Sequence, residues 1–429
     1  MATQNLTGVD ALLKNVYRGP WVEQLNQETQ ILDILEKTDA NQLGTFSGFG
    51  RQLIFPVHSS RNRGRGSPTD GGQLATAGTQ GTMDGIVGMK YFDTGIELSD
   101  QAIKQSKSDE GSFVRTLTFE MDLALTDMRK DVTRIAYGTG DGLLATVTGT
   151  PGGGTSITVD SGQFIAVGDT VDILVKTTGA TTNGVVATLV TAVSFTGAAN
   201  SATQANATLT IGTTTAGATS NLYGVYISGD RSQESDGLRN ICNTGRTLHQ
   251  INSSTNPFWD SNVKAFGQAN PSEDGIMALA QQIRQRGGKT PDLGMLTLGG
   301  QRRLANTYAS QKRWNDGNVT KPEGGYAGAI PVSAGGVPIP MLADVDCPNG
   351  TGFLLNKSSF AWAQLGPPDW LEAPDGKGSI LYLKDGASLG TKARTWQAWM
   401  VWDAILCCIA PNRNGMFTGI NDDIPVARV

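Results

Sequence analysis

The sequence predicts an α+β protein carrying a separate all-β barrel or sandwich, on three observations. Residues Ser108–Tyr137 read as one long amphipathic helix, residues 142–229 hold only short β runs, and Trp396–Ile409 is a strongly apolar strand. Charged residues make up 17% of the 429, below the usual ~25%, and glycine occurs 55 times. Thr, Ser, Gly, Asn and Gln fill the difference, which suits turns and broad polar interfaces better than a soluble helical enzyme. A net charge of −5 argues against general nucleic-acid affinity of the surface and leaves room for a local basic patch. A chain of this length is expected to form about two or three domains with ample core.

Residues 1–44 read as an arm. Trp21, Val22, Leu25, Ile31, Leu32, Ile34 and Leu35 follow a helical pattern ending near Thr38. No partner for that helix is visible nearby in the sequence, so another surface must cover it. Residues 45–98 change character. Gln52–Val57 alternates as a strand, Ser59–Pro68 is a polar tip, Asp70–Gly85 is rich in Gly, Thr and Ala, and Ile86–Leu98 alternates again. Two strands separated by so long a polar excursion make an extended hairpin, marginal alone and sensible when laid on a neighbouring subunit.

The long helix follows. Phe113, Leu117, Met121, Leu125, Met128, Val132 and Ile135 recur at three- and four-residue spacings, the period of one apolar stripe. Ser108, Asp109 and Glu110 suit its N-terminus, and Gly138-Thr139-Gly140-Asp141-Gly142 stops it. Its length would be roughly 40 Å. A single stripe without heptads is expected to pack on a sheet of the same chain, not on a copy of itself.

Residues 142–229 carry charge only at Asp160, Asp169, Asp172 and Lys176. Six strands are expected there: Leu143–Thr148, Ser156–Asp160, Thr170–Val175, Val185–Val193, Ala207–Ile211 and Leu222–Ile227. Helix signals lie on both sides and none within, so this stretch reads as an inserted domain. After a segment over 230–262, residues 263–394 read as α+β. Ser272-Glu273 starts a helix with Ile276, Leu279, Ala280 and Ile283 on one face and Gly287-Gly288 at its end. Met295–Leu298 reads as a buried strand and Gly299–Trp314 as a helix made basic by Arg302, Arg303, Lys312 and Arg313, a solvated face or a pore lining. Val337–Ala343, Gly352–Asn356 and Phe360–Leu365 read as strands. In the closing segment, 395–429, Trp396, Trp399 and Trp402 are expected to bury large area before Pro411 ends the strand.

Catalytic signals are weak. His58 sits in the polar tip and His249 in a polar linker, neither within a nucleophile or metal motif. The Gly-rich runs 138–142 and 152–154 lack a following Lys-Ser/Thr and are turns, not P-loops. Cys242, Cys347, Cys407 and Cys408 show no ligand spacing and are expected as buried thiols. No metal, cofactor or enzymatic activity is therefore expected. The first residues lack a basic and an apolar region, and Ala398–Ala410 is too short for a span, so neither secretion nor a membrane is expected.

Arm, projecting hairpin, long helix, glycine turn, α+β domain and final apolar strand, in that order, resemble the major capsid proteins of tailed bacteriophages. The turn Tyr137–Gly142, the resumption Ser235-Asp236-Gly237-Leu238-Arg239-Asn240-Ile241 and Gly335-Gly336-Val337-Pro338-Ile339-Pro340 also resemble that family's glycine-rich segments. The resemblance implies an HK97-like capsid fold. Residues 1–44 would be the N-arm, 45–98 the E-loop, 99–141 the spine helix with part of the P-domain, 230–262 a P-domain return, 263–394 the A-domain and 395–429 the P-domain strand. It further implies self-assembly into hexamers and pentamers of an icosahedral shell that encloses double-stranded DNA without sequence-specific binding. Portal, scaffolding and decoration proteins would be partners, with assembly in the bacterial cytoplasm and residence in the virion. The 142–229 insertion departs from the minimal fold; it would stabilise capsomers or bind external partners. Some relatives cross-link through an E-loop lysine, but no lysine occurs between Thr38 and Met89, and Lys90 falls at the hairpin base, so non-covalent joints are expected.

Arg51, Arg61, Arg63 and Arg65 are the sharpest candidate site. They read either as a solvated loop or as guanidinium forks bridging carboxylates of an adjacent subunit, with nucleic-acid contact a third option. A rival overall reading is another β-rich phage or surface structural protein, of tail-tube or adhesin type.

Overall fold

The computed structural model describes residues 28–36, 52–105, 116–148, 154–196, 206–215, 222–307, 330–334, 337–364, 366–372, 380–385 and 392–422. These fall into two compact units. One takes its described residues from 94–126 and 370–400, the other from 28–93, 127–369 and 401–422. Arg51, the Ser108 cap, Phe113, Lys312, Arg313 and most of the arm lie outside the described residues.

In the larger unit, α1 (Gln30–Glu36) buries Ile31, Leu32 and Leu35 and packs on a strand of its own chain, Phe360–Gln364. The cover that its apolar pattern demands is therefore intramolecular for this turn of the arm. β1 (Gln52–Ser60) and β2 (Gly81–Gly88) form an antiparallel ribbon registered from Gln52 opposite Gly88 to Ser60 opposite Gly81. The strand expected over Ile86–Leu98 is broken at Met89. Its first residues belong to β2, and the rest form β3 (Lys90–Ser99), which pairs with a different strand. Alternation continues across such a break, so periodicity alone does not reveal a change of partner.

α2 (Asp100–Gln105) follows β3, with the Ser99 hydroxyl accepting from the Ala102 N–H at 3.2 Å. α3 (Thr116–Tyr137) is the long helix, about 33 Å at ~1.5 Å per residue. Met128, Val132, Ile135, Ala136 and Tyr137 are buried, but Leu125 is 40% exposed. The last two turns are enclosed on nearly every side, whereas the middle of the helix is covered only on the side bearing Ala124, so the outer margin of the stripe meets water.

The stretch after α3 folds into six antiparallel strands: β4 (Leu143–Thr146), β5 (Ser156–Val159), β6 (Thr170–Val175), β7 (Val185–Thr196), β8 (Asn206–Ile211) and β9 (Tyr223–Ile227). Their order is β4-β9-β6-β7-β8-β5, and a bridge between Val147 and Val159 joins the two ends, closing a barrel. Thr148 N–H to Thr158 O and Asp160 N–H to Thr146 O, both 2.9 Å, complete the seam. Among the described residues this seam pairs the two edge strands of the sheet with each other. Inside lie Val147, Ile157, Val159, Ile165, Val171, Ile173, Val190, Leu209 and Val225. Gln163 fixes the barrel to the turn at 345–349: its amide nitrogen donates to Val345 O (3.1 Å) and Cys347 O (3.0 Å), and its oxygen accepts from Asn349 N (3.1 Å).

Beyond the barrel come α4 (Leu238–Ile241), the two-residue hairpin β10 (Thr247–Leu248) and β11 (Ile251–Asn252), then β12 (Asn262–Ala265) and α5 (Glu273–Gly287). Ser272 caps α5 by accepting from Gly275 N, and Gly288 ends it in the left-handed conformation (φ 71). β13 (Leu293–Leu296), α6 (Leu298–Thr307), β14 (Ile330–Ala334), β15 (Val337–Ala343) and β16 (Thr351–Leu355) follow. β17 (Phe360–Gln364), β18 (Asp369–Trp370), β19 (Tyr382–Asp385), β20 (Lys392–Cys408) and β21 (Gly415–Thr418) complete the chain. A mixed sheet runs β12-β21-β16-β13-β15-β14, with the apolar side of α5 and Leu304 of α6 buried in its core. It takes β21 from the closing segment of the chain.

In the smaller unit, β3 and β19 pair with β20, and Ile96, Ala124 and Ala398 form a core with Met121, Trp370 and Leu381. The long helix thus packs on a sheet of its own chain there, as its single stripe implies. Of the three tryptophans on β20 only Trp402 is buried; Trp396 and Trp399 are half-buried. Trp399 lies over Gly95 and meets Tyr382 edge-on at 5.4 Å, an aromatic ledge on the other face of the sheet.

Candidate functional site

The ribbon β1–β2 is anchored at its base and free at its tip. Leu53 and Val87 pack with Ala363, Ile405 and Cys407, while the Phe55 ring covers Gly85 and sits 6.3 Å from Trp259. His249 completes this anchor. With Gln250 it forms the two-residue turn between β10 and β11, both residues at positive φ (52 and 64), a type I′ arrangement. Its Nε2 accepts from the Cys408 N–H at 3.1 Å, and its own carbonyl accepts from Ile86 N–H at 3.0 Å. Burial, reinforced by Arg246, lowers its pKa to about 3, so the ring is a neutral acceptor. The polar linker expected around His249 is in fact an interior turn, and the histidine's role is structural.

At the other end, residues 61–80 continue the ribbon without regular strands. Asn62 donates to Gly78 O at 2.8 Å and its oxygen accepts from Gly64 N–H at 2.7 Å. Gly64 and Gly66 approach residues 75–78 so closely that a Cβ at Gly64 would lie 2.4 Å from Gly78 N. With 62, 64 and 66 turned toward the returning chain, Arg61, Arg63 and Arg65 are exposed, and their guanidinium groups pair with none of the described residues. These three occupy alternate positions of the exposed tip. Arg51 lies outside the described residues. His58 is exposed and bonded to Gln80 at 2.8 Å.

A cleft of about 600 Å³ opens beside the ribbon's base. Ile86, Val87, Met89 and Ile405 supply apolar wall; Lys90, Asp93, Asp230, Gln233, Asp236 and Gln250 supply polar groups. Lys90 Nζ donates to Ser232 O at 3.0 Å; burial lowers its pKa, opposed by Asp236 and Glu234. Asp236 accepts from Asn240 at 2.6 Å, and Glu234 pairs with Arg134 at 2.6 Å. The side-chain carboxylates of Asp93 and Asp230 have no hydrogen-bond or ion-pair partner among the described residues. Burial raises the Asp230 pKa, and the neighbouring carboxylates Asp131, Asp93 and Asp172 push it further against Arg134. Nothing in the sequence marked this cleft, because its acids come from segments more than a hundred residues apart and each reads locally as an ordinary strand or turn charge.

Elsewhere, Cys242, Cys347, Cys407 and Cys408 are buried free thiols, and burial pushes Cys408 up to about 11. Arg303 on α6 reaches Asn270 Oδ1 and Asp422 O, each at 3.4 Å. Among the described residues no group of three or more His, Cys, Asp or Glu is placed to hold a metal ion. No helix among them is long and apolar enough to cross a membrane.

No protein-family model and no curated protein sequence matches the chain. Solved structures do. A chain of the cyanophage A-1(L) capsid asymmetric unit aligns over 98% of this chain and 100% of its own, at 12% identity and a TM-score of 0.58. A chain from the capsid of a native GTA particle aligns over 97% and 99%, at 8% identity and 0.49. A Mycobacterium phage Bobi chain aligns over 97% and 99%, at 10% identity and 0.48. Because the cyanophage match spans both chains end to end, the likeness covers the whole architecture and not one shared sheet. At the level of fold the resemblance read from the order of elements is borne out: this chain is built on a phage capsid fold.

Proposed function

We propose that this protein is a structural shell subunit, the major capsid protein of a tailed bacteriophage, and not an enzyme. The observation that carries the proposal is the end-to-end structural match to the cyanophage capsid chain at a TM-score of 0.58. On this reading 1–44 is the N-arm, 45–98 the E-loop, 99–141 the spine helix with part of the P-domain and 142–229 an inserted barrel. Residues 230–262 return to the P-domain, 263–394 form the A-domain and 395–429 supply the last P-domain strand. Copies associate as hexamers and pentamers of an HK97-like icosahedral shell, assembled in the host cytoplasm, that encloses double-stranded DNA without sequence-specific binding. Portal, scaffolding and decoration proteins are its expected partners.

The physical logic fits the surface. A closed shell needs many modest, repeated contacts, so that wrong ones dissociate. A long hairpin with exposed guanidinium groups supplies such contacts without a large apolar patch on the free subunit. Arg51, Arg61, Arg63 and Arg65 are assigned to contacts with carboxylates of an adjacent subunit. The three hydrogen bonds of Gln163 support the barrel as a brace within the subunit, with its outer surface available to external partners. Sedimentation and negative-stain microscopy of the protein expressed alone test the reading: closed shells or capsomer rings support it, and tubes or fibres support a tail-type or adhesin-type protein instead.

A further inference from the structure

We propose that the arginine tip of one copy seats in the cleft beside the ribbon base of the next copy, with Arg63 and Arg65 pairing to Asp93 and Asp230. The inference rests on the shell reading and names the carboxylates that the arginines meet.

Two complementary charge sets are left over within one chain. Arg61, Arg63 and Arg65 are exposed cations without partners among the described residues. Around the cleft, the carboxylates of Asp93, Asp131, Asp230, Glu234 and Asp236 face Lys90, Arg134 and, at Asp236, Arg246, whose guanidinium is taken up by the Ile241 and Trp259 carbonyls. Arg134 is held by Asp131 and Glu234, and Lys90 by Ser232 O beside Asp236 and Glu234. Asp93 and Asp230 remain, mutually repelling, at the mouth of a space large enough for a side chain. A guanidinium there replaces repulsion by attraction, with Asp93 exposed and Asp230 half-buried beneath it.

The two sets cannot meet within one molecule. The ribbon pairs from Gln52 to Ser60, and at ~3.3 Å per residue that is roughly 30 Å. The tip lies beyond its far end and the cleft beside its near end, at Ile86–Asp93. A ribbon closed by antiparallel pairing does not fold back on itself over that length. The contact is therefore head-to-tail between copies, a heterologous interface of the kind that closes into rings. The apolar walls from Ile86, Met89 and Ile405 suit the arginine stems while the heads reach the acids.

Charge reversal tests it. Arg63→Glu/Arg65→Glu and, separately, Asp93→Arg/Asp230→Arg are each expected to lower shell yield at least about tenfold, and the four substitutions in one chain to restore it to within about threefold. Cleft-reversed protein assembling like wild type, or the fourfold variant assembling no better than either pair, overturns the proposal. Thermal melting of the unassembled subunits confirms that each variant is folded. If a reversal prevents folding, Arg63→Lys decides. Carbodiimide treatment of its assemblies should join the introduced amine to Asp93 or Asp230 of another chain, seen by mass spectrometry of mixed isotope-labelled subunits. Linkage only to other carboxylates overturns the proposal. Wild-type protein that forms no shells refutes the shell reading; wild-type shells with an unaffected cleft variant refute the cleft alone.

Discussion

His249 offers a perturbation whose size follows from its surroundings. Its ring is buried between Phe55 and Trp259, accepts the Cys408 N–H, and has its pKa lowered from 6.5 to about 3 by burial and by Arg246. Below the unfolded value the unfolded chain takes up a proton that the native ring refuses, so stability present above pH 6.5 is lost progressively as pH falls toward the native value. With these two pKa values the loss is about 2 kcal/mol on going from about pH 7.5 to pH 5. Glu234, Asp236, Asp230 and Asp160 have raised native values, caused first by burial, and act in the opposite sense over the mildly acidic range. A difference measurement removes them. His249→Asn keeps a residue tolerant of positive φ at the turn but does not titrate. Urea unfolding of unassembled subunits should show the variant less stable at about pH 7.5, with the gap to wild type narrowing by about 2 kcal/mol at pH 5. A gap of equal size at both pH values refutes the account of a neutral, proton-refusing ring.

Other consequences follow from single contacts. Gly85→Ala places a Cβ 2.6 Å from the Phe55 ring and should cost about 1–3 kcal/mol, read by denaturation and by loosened amide exchange in β1. Lys130 holds the fully buried Asp346 at 3.2 Å and the Glu28 carbonyl at 2.6 Å. Lys130→Met should therefore destabilise the subunit by about 3–5 kcal/mol, and Lys130→Met/Asp346→Leu should recover part of that loss. Gln163→Ala removes the bonds to Val345, Cys347 and Asn349. It should cost about 1–3 kcal/mol and raise hydrogen exchange at 345–349 without unfolding the barrel core. Mass spectrometry of denatured particles should show single chains, since the expected joints are non-covalent; chain ladders would overturn that.

The elements legible in the sequence were those specified locally. Ser272, the Ile276–Ile283 face and Gly288 each announce one part of α5, and the structure keeps all of them. The six barrel strands were legible because Thr-Val alternation and glycine turns repeat over a nearly uncharged stretch, although it is the seam around the Val147–Val159 bridge that distinguishes a barrel from a sandwich. What failed depends on partners. The break at Met89 is a change of pairing with no change of pattern, and the exposure of Leu125 depends on how far a neighbouring surface extends along α3. Trp399 is half-buried because its face of the sheet carries an aromatic ledge instead of a helix. The arginine tip was visible as a polar, basic run. The cleft was not, because Asp93 and Asp230 become neighbours only after β3 and the chain beyond the barrel come together.

Copies of this chain are proposed to close into a shell. Cryo-electron microscopy of the protein expressed alone measures that directly. The expected result is closed icosahedral particles built from rings of five and six subunits, with each hairpin tip lying on the neighbouring copy. Open tubes, fibres or small discrete oligomers under conditions where the subunit is folded would contradict it.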